Sequence, residues 1–130
     1  MTSMSSNSTY ASLPTDSCVL PARKIASNHL LTPDGRLVAH PLVELNDEGL
    51  VVHISTCATP DREPFTEFYA GLLVVGLDER LFVSVSQDTT TPITTLLPPL
   101  IDPQHRRLVL LTGIHYETMT LTERRRIRLF

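Results

Sequence analysis

The chain has 130 residues, 42% of them hydrophobic, and a formal net charge of −3 from 11 basic and 14 acidic residues. This length corresponds to one domain with a single modest core. The near balance of charge argues against a general nucleic-acid-binding surface, which needs a clear basic excess. The longest apolar run, Leu72–Val75, is too short to cross a membrane.

The first 22 residues are rich in Ser, Thr and Asn, and they lack the basic start and apolar core of a secretory signal. We therefore expect a disordered leader over residues 1–22 and a single β-domain over residues 23–130. Cys18 lies in this leader, and Cys57 is the only other cysteine. We expect no disulfide, and reduced thiols fit a cytoplasmic protein.

Three apolar runs between residues 23 and 56 are separated by two polar clusters that each end in glycine. The clusters are Thr-Pro-Asp-Gly at 32–35 and Asn-Asp-Glu-Gly at 46–49. Both are typical of tight turns. The pattern predicts a β-meander with strands over 23–31, 37–45 and 50–56. Pro41 cannot donate a ladder hydrogen bond, which predicts an edge or a bulge at that position.

The second half of the chain is also mostly β-like. Residues 65–77 and 107–112 form apolar runs, and alternation over 81–86 predicts a further strand. Residues 93–97 favour one or two helical turns that end at Pro98-Pro99. Residues 119–130 predict a last strand, with a helix over 122–129 as the alternative. In that strand, Arg125, Ile127 and Leu129 lie on one side and Arg124, Arg126 and Arg128 lie on the other.

Together these patterns predict a mainly β fold. We expect a small β-sandwich or a partly closed barrel of about six to eight strands, with at most one short helix.

The five histidines are the first place to look for chemistry. Zinc ligands usually occur as close pairs backed by a carboxylate or thiolate, and no such pair is present in the sequence. His29, His40 and His53 fall one per predicted strand of the meander, so they are the candidates for a metal site. The competing interpretation is three polar positions on a half-exposed sheet. Nucleophile and nucleotide-binding motifs are absent from the sequence. We therefore predict no catalytic residue and no cofactor.

The tail segment 123–128 carries four arginines. Such a segment can bind phosphate, nucleic acid or an acidic partner. The sequence favours a solvated face that is salt-bridged to the chain's own carboxylates, because the acidic balance elsewhere and the few aromatic residues weigh against nucleic acid.

The order of these pieces resembles a known family. The segments RKIASNHLL (23–31) and LVELNDEGLVVHI (42–54) resemble the N-terminal β-domain of the amidohydrolase superfamily. EFYAGLLVVGL (67–77) resembles the strand that leads from that domain into the family's TIM barrel, and GIHYETMTLTE (113–123) resembles the return from the barrel. The resemblance covers roughly residues 23–77 and 105–130. It implies a small composite β-sandwich.

The chain departs from the family where the barrel should begin. In the family, a metal-binding His-x-His pair follows the strand at once, whereas here Asp78, Glu79 and Arg80 follow it. About 28 residues, 78–105, stand in place of the barrel. No metal ligand or catalytic residue can therefore be carried over. The resemblance implies a stand-alone, non-catalytic accessory domain, of bacterial origin.

Such a domain would expose the apolar face that once packed on the barrel, and exposed apolar patches usually mark interfaces. We expect a homo-oligomer, a protein partner, or coverage by the insert 89–100, with apolar side chains at Ile93, Leu96, Leu97, Leu100 and the adjoining Ile101. The alternative function is a small-ligand or metal-binding module built on the meander histidines.

Overall fold

The computed structural model describes residues 22–57, 59 and 65–130, so most of the predicted leader, including Cys18, lies outside the described residues. The described chain forms two β-sheets. One has the strand order β5-β4-β1-β6 and the other β3-β2-β7-β8-β9. The strands are β1 (Arg23–Ala26), β2 (His29–Leu31), β3 (Leu37–Ala39), β4 (Pro41–Leu45), β5 (Val51–Thr56), β6 (Thr66–Phe68), β7 (Leu72–Val75), β8 (Leu108–His115) and β9 (Thr120–Leu129).

This architecture confirms the prediction of a mainly β sandwich, and neither described sheet closes into a barrel. The described residues contain nine strands rather than six to eight. The difference arises because three predicted strands, 23–31, 37–45 and 65–77, each break in the middle. Their first and second halves belong to different sheets, so three chain segments cross together from one sheet to the other.

Hydrogen bonds fix the crossing. The buried Ser27 hydroxyl donates to the carbonyl oxygens of Tyr69 and Gly71, at 2.5 and 2.9 Å. The Asn28 side-chain oxygen accepts the Gly71 N–H at 2.9 Å. In the remaining crossing segment, residues 37–45, the chain changes direction at His40, whose φ is +55°. These bonds satisfy backbone groups that leave one ladder before they enter the next.

Pro41 occupies the position that its chemistry requires. It is the first residue of β4, directly after the turn at His40. The Cys57 N–H bonds the His40 carbonyl at 2.8 Å, so the next pair, Pro41 and Thr56, is a non-hydrogen-bonded pair of the antiparallel ladder. The missing N–H therefore costs no bond to β5. The predicted edge or bulge is not present at Pro41, because β4 lies between β5 and β1 and its pairing with β5 is regular at that residue.

Residues 81–86 were predicted as a strand, and this prediction is wrong. Residues 81–85 belong to helix α1 (Glu79–Val85), and Ser86 is its C-cap. The Asp78 side chain accepts the backbone N–H groups of Arg80 and Leu81, which is an N-cap that starts the helix. Phe82 is the buried anchor, whereas Leu81 and Val83 are exposed. The alternation of apolar residues was therefore not a core-facing strand pattern.

The helical turn predicted over 93–97 is confirmed as helix α2 (Ile93–Leu96), followed by a 3-10 helix at Pro98–Leu100. The described chain thus has two short α-helices, not at most one. The last predicted strand is confirmed as β9, and the alternative helix over 122–129 is wrong.

The core has two layers. Between the sheets lie Ile25, Val43 and Leu45 of one sheet against Leu73, Leu108 and Leu110 of the other. The second layer covers the opposite face of the five-stranded sheet: Phe82, Ile93, Leu97 and Ile101 pack on Leu31, Leu72, Val74, Val109 and Leu111. We call residues 78–101 the helical cover. The insert thus occupies most of the face that the sequence predicted to be exposed.

Candidate functional site

The three candidate histidines lie on different parts of the sandwich. His29 is in β2 of the five-stranded sheet, and His53 is in β5 at the edge of the other. His40 lies at the corner between the sheets and is exposed. Among the described residues, no three His, Cys, Asp or Glu side chains come close enough together to hold a metal ion.

The carboxylates that could support these histidines have other partners. Asp34 bonds the Thr32 hydroxyl and the Arg36 guanidinium in its turn, and these contacts, the hydroxyl bond foremost, lower its pKa. Glu67 pairs with Arg23. Glu44 is the cross-strand neighbour of His53. The described part of the chain therefore brings one candidate histidine beside one carboxylate, which falls short of a ligand set.

His29 has one notable feature. Its Nδ1 atom is buried without a hydrogen-bond partner among the described residues. The His29 ring packs near the Tyr116 ring, with centroids 6.4 Å apart, and burial raises the pKa of Tyr116. An aromatic neighbour at this distance packs against the imidazole and supplies no metal ligand.

Cys57 is half-exposed and free. His53 lies four residues before Cys57, too far along a strand for an ion pair, which favours a buried structural thiol at this position. The side chain is only half-buried, so that interpretation is wrong. The exposure follows from its place one residue beyond the end of β5, where the backbone N–H still bonds the His40 carbonyl while the chain leaves the sheet.

His115 takes part in a chain of polar contacts that sequence reasoning missed. The Thr118 hydroxyl lies 3.3 Å from His115 Nδ1 and 2.7 Å from the Thr120 hydroxyl. Thr118 and His115 are exposed. The depression beside them holds about 560 Å³ and is wide open to solvent. The contacts close the turn between β8 and β9, and they supply no buried, water-excluding pocket of the kind that binds small molecules.

The most distinctive surface is the outer edge of β9. Among the described segments, none pairs with this strand on its outer side, and β8 is its single neighbour. We use the term β9 edge for Arg126–Leu129, where the register with β8 is regular. Ile127 and Leu129 are 37% and 52% exposed, and Arg126 and Arg128 are also exposed.

The two faces of the β9 edge differ in chemistry. Ile127 pairs with Leu111, and Leu129 pairs with Val109. Ile127 and Leu129 therefore lie on the same face of the sheet as the helical cover, but the cover does not pack on them. Arg128 pairs with Leu110 and Arg126 with Thr112, on the opposite face. The predicted alternation is therefore correct for these four residues.

The alternation of side chains between the two faces of β9 ends before Arg126, because the strand contains a large bulge there. Thr112 pairs with Arg126 and Ile114 with Leu121, so residues 122–125 stand opposite Gly113 alone. The Thr122 hydroxyl bonds the Gly113 carbonyl at 2.6 Å, and the Arg125 guanidinium bonds the Thr122 carbonyl at 3.0 Å. Arg124 and Arg125 thus belong to the bulge and not to the regular edge.

A cluster of charged and aromatic side chains anchors the end of β9. The Arg128 guanidinium carbon lies 4.7 Å from the Tyr69 ring centroid and 5.0 Å from that of Phe130. These contacts are cation–π interactions. The Tyr69 hydroxyl bonds Glu67 at 2.8 Å, and Arg23 makes two bonds to the same carboxylate at 2.6 and 2.8 Å. The cluster joins β1 and β6 of one sheet to β9 of the other.

The electrostatics of this cluster are dominated by Glu67. The hydrogen bonds from Arg23 lower the pKa of Glu67 to about 2, with smaller contributions from the Tyr69 hydroxyl and the charge of Arg128. Glu67 in turn raises the pKa of Arg23. Since one carboxylate faces two guanidinium groups, the cluster keeps a net positive charge beside the β9 edge.

A cavity of about 530 Å³ lies at the end of this edge. Leu129 and Phe130 form one side, and Leu77, Glu79 and Arg80 at the start of α1 form another. The Arg107 guanidinium also lines it and bonds the Phe130 carbonyl at 3.3 Å. Asp78 and Asp102 also line the cavity, so its lining is mixed and not purely apolar.

Comparison of the chain with protein-family models, with curated proteins and with solved structures found no match. No helix in residues 22–57, 59 and 65–130 is both long and apolar enough to span a membrane.

Proposed function

We propose that the chain is a non-catalytic β-domain, related to the accessory sandwich of the amidohydrolase superfamily, that acts by protein association at the β9 edge. The observation that carries this proposal is the edge itself. It is a regular strand terminus with exposed apolar side chains on one face and arginines on the other. Edge strands with unpaired backbone groups are templates for pairing with another chain.

The proposed family relation rests on the sequence resemblance, and the architecture is compatible with it. Three chain segments divide between two sheets, as a composite sandwich requires. The segment that resembles the lead into a barrel, residues 67–77, contains β7, and the helical cover follows it directly at Asp78. In this proposal the cover replaces the barrel over β2, β7 and β8, whereas Ile127 and Leu129 remain as the uncovered part of the old face.

The alternative, a ligand or metal module on the meander histidines, has less support. His29, His40 and His53 are distributed over two sheets and the corner between them. A zinc titration would separate the two functions, because a histidine module binds zinc with a defined stoichiometry and loses it when any one of the three is replaced by alanine.

The test is site-specific photo-crosslinking in cells that naturally produce the chain. A crosslinking residue at Leu129 should form one discrete protein adduct. The same residue at Val83, which is 68% exposed on α1, is the matched control and should not form it. The adduct should disappear when Ile127→Pro is added, and circular dichroism should show that this variant is folded.

Two results would contradict the proposal. The absence of any Leu129 adduct argues against association at this surface. An adduct that persists in a folded Ile127→Pro variant, or that forms equally from Val83, means that association does not use the β9 edge.

A further inference from the structure

We infer that the β9 edge binds an extended segment of another protein whose side chains alternate between acidic and apolar. This inference rests on the proposed function and names the class of partner. It follows from the backbone register of β9, the chemistry of its two faces, and the cost of pairing the edge with itself.

The backbone register shows which groups are available. The Phe130 N–H bonds the Leu108 carbonyl at 3.2 Å, so this pair is a hydrogen-bonded pair of the antiparallel ladder. Such pairs alternate with non-hydrogen-bonded ones. In the register of β8 and β9, Ile127 and Leu129 are therefore the residues whose N–H and C=O groups point away from β8. No strand among the described residues takes up these two sets of donors and acceptors.

The side chains of the β9 edge indicate which residue types a strand paired with it should carry. A strand added to the edge would place alternate residues on alternate faces. On the side of the helical cover, its side chains would meet Ile127 and Leu129. On the other side they would meet Arg126 and Arg128. Apolar side chains match the first face, and carboxylates match the second, because cross-strand pairs stabilise a sheet when they are apolar or oppositely charged.

The same geometry disfavours a second copy of this chain as the occupant. Two β9 edges related by a two-fold axis must pair residues that lie on the same face. A pairing centred on Ile127 sets Arg126 opposite Arg128 of the other copy, and a pairing centred on Arg128 sets that residue opposite itself. Like charges directly opposite each other destabilise a sheet. Arginines on an edge strand thus act against self-pairing and favour an acidic partner.

The bulge limits the length of the partner. Residues 122–125 leave the regular ladder opposite Gly113, so a continuous added strand ends near Arg126. On the other side, the strand can extend past Leu129 toward the cavity. A segment of about five or six residues fills this edge at the rise of a β-strand.

The test uses fluorescently labelled synthetic hexapeptides and the full chain, with anisotropy at low salt. The probe is Glu-Val-Glu-Val-Glu-Val. A block peptide, Glu-Glu-Glu-Val-Val-Val, keeps its composition and charge, and Lys-Val-Lys-Val-Lys-Val keeps its alternation. A fourth peptide carries the probe sequence with N-methyl groups on alternate amides, which blocks strand pairing and leaves the side chains unchanged.

We expect the alternating acidic peptide to bind at least tenfold more tightly than the other three. Arg126→Glu should weaken it about tenfold and make the lysine peptide the better ligand. Arg124→Glu is the matched control: it makes the same charge change on the same strand, but within the bulge, and should change affinity less than twofold. Ile127→Pro should abolish binding, whereas Ile127→Ala should only weaken it, because proline removes an outward N–H.

Equal binding of the block peptide would overturn the inference, since the surface would then read charge without strand geometry. So would tight binding of a thymidine tetranucleotide of equal charge with the same loss in Arg126→Glu, which would indicate a nucleic-acid site. If the Leu129 crosslink forms but the hexapeptides show no preference, the partner class is wrong and association at the edge stands. If neither occurs, both proposals fail.

Discussion

Replacement of Glu67 by glutamine should reveal how strongly the charged cluster holds the end of β9. Glu67→Gln keeps the shape and can still accept a bond from Tyr69, but it removes the negative charge that faces Arg23. The pKa of Glu67 is lowered from 4.5 to about 2. Taken at about 1.4 kcal/mol per pKa unit, the lowering of the Glu67 pKa sets an upper bound of about 3.5 kcal/mol on the stabilisation. Because both side chains are 36% exposed, solvent screening reduces the expected loss at pH 7 to about 1 kcal/mol.

The pH dependence provides the sharper test. A carboxyl group whose pKa is lower in the folded state binds more protons when unfolded, so stability falls as the pH falls through the window between the two values. For Glu67 this window runs from about 4.5 down to about 2. The parent chain should therefore lose about 1 kcal/mol more than Glu67→Gln between pH 5 and pH 2, and the two stability curves should converge at the acid end.

Urea unfolding followed by circular dichroism at several pH values measures this difference. Glu117→Gln, at an exposed carboxylate of the turn between β8 and β9, is the control and should track the parent at every pH. Other carboxylates with lowered pKa, such as Asp34 and Asp88, are present in both proteins and cancel in the comparison. Parallel curves for parent and Glu67→Gln would refute the reasoning, because the ion pair would then contribute nothing to stability.

Three further substitutions test other parts of the fold. Ser27→Ala leaves two carbonyls at the sheet crossing without their donor and should cost about 1–3 kcal/mol in urea unfolding, whereas Ser84→Ala, at an exposed hydroxyl bond, should cost less than about 0.5 kcal/mol. Leu97→Ala opens a cavity under the helical cover and should cost about 2–5 kcal/mol by the same assay, and an unchanged midpoint would mean that the cover is not tightly packed. Gly113→Ala places a Cβ 2.4 Å from the Arg124 carbonyl at a φ of +77°, so amide spectra should show displaced bulge residues; an unchanged spectrum would contradict this close approach.

The meander was predictable because its signals are local. The Asp-Gly and Glu-Gly turns fix where the strands end, and in the structure Gly35 and Gly49 both have positive φ and bond back across their turns. The crossing between sheets could not be read in the same way. Ser27 finds its partners 42 and 44 residues away, and no neighbouring residue indicates this pairing.

The error at α1 had a signal that pointed the other way. Asp78 and Glu79 precede an apolar run, which is typical of a helix start. The alternation of Leu81, Val83 and Val85 favoured a strand over this helix start. In the structure, however, Leu81 and Val83 are exposed, and the single buried residue of the helix is Phe82. Tertiary packing on the five-stranded sheet decided between the two local patterns.

The β9 edge was predictable in part. The alternation of Arg126, Ile127, Arg128 and Leu129 is visible in the sequence, whereas the position of β9 at the end of its sheet depends on the order of five strands. The stacking of Arg128 on Tyr69 joins residues from β9 and the crossing, so no sequence window contains both. The sequence therefore predicted the chemistry of this surface but not its location at a free edge.

Residue-resolved amide hydrogen exchange by NMR tests the central claim most directly. In the free chain, the amides of Ile127 and Leu129 should exchange quickly because they point away from β8, whereas those of Arg128 and Phe130 should be protected. Addition of the Glu-Val hexapeptide should protect Ile127 and Leu129 and leave the helical cover unchanged. Uniform protection of all four amides in the free chain, or no gain in protection with the hexapeptide, would contradict the claim that the β9 edge is an open docking strand for an acidic, alternating partner.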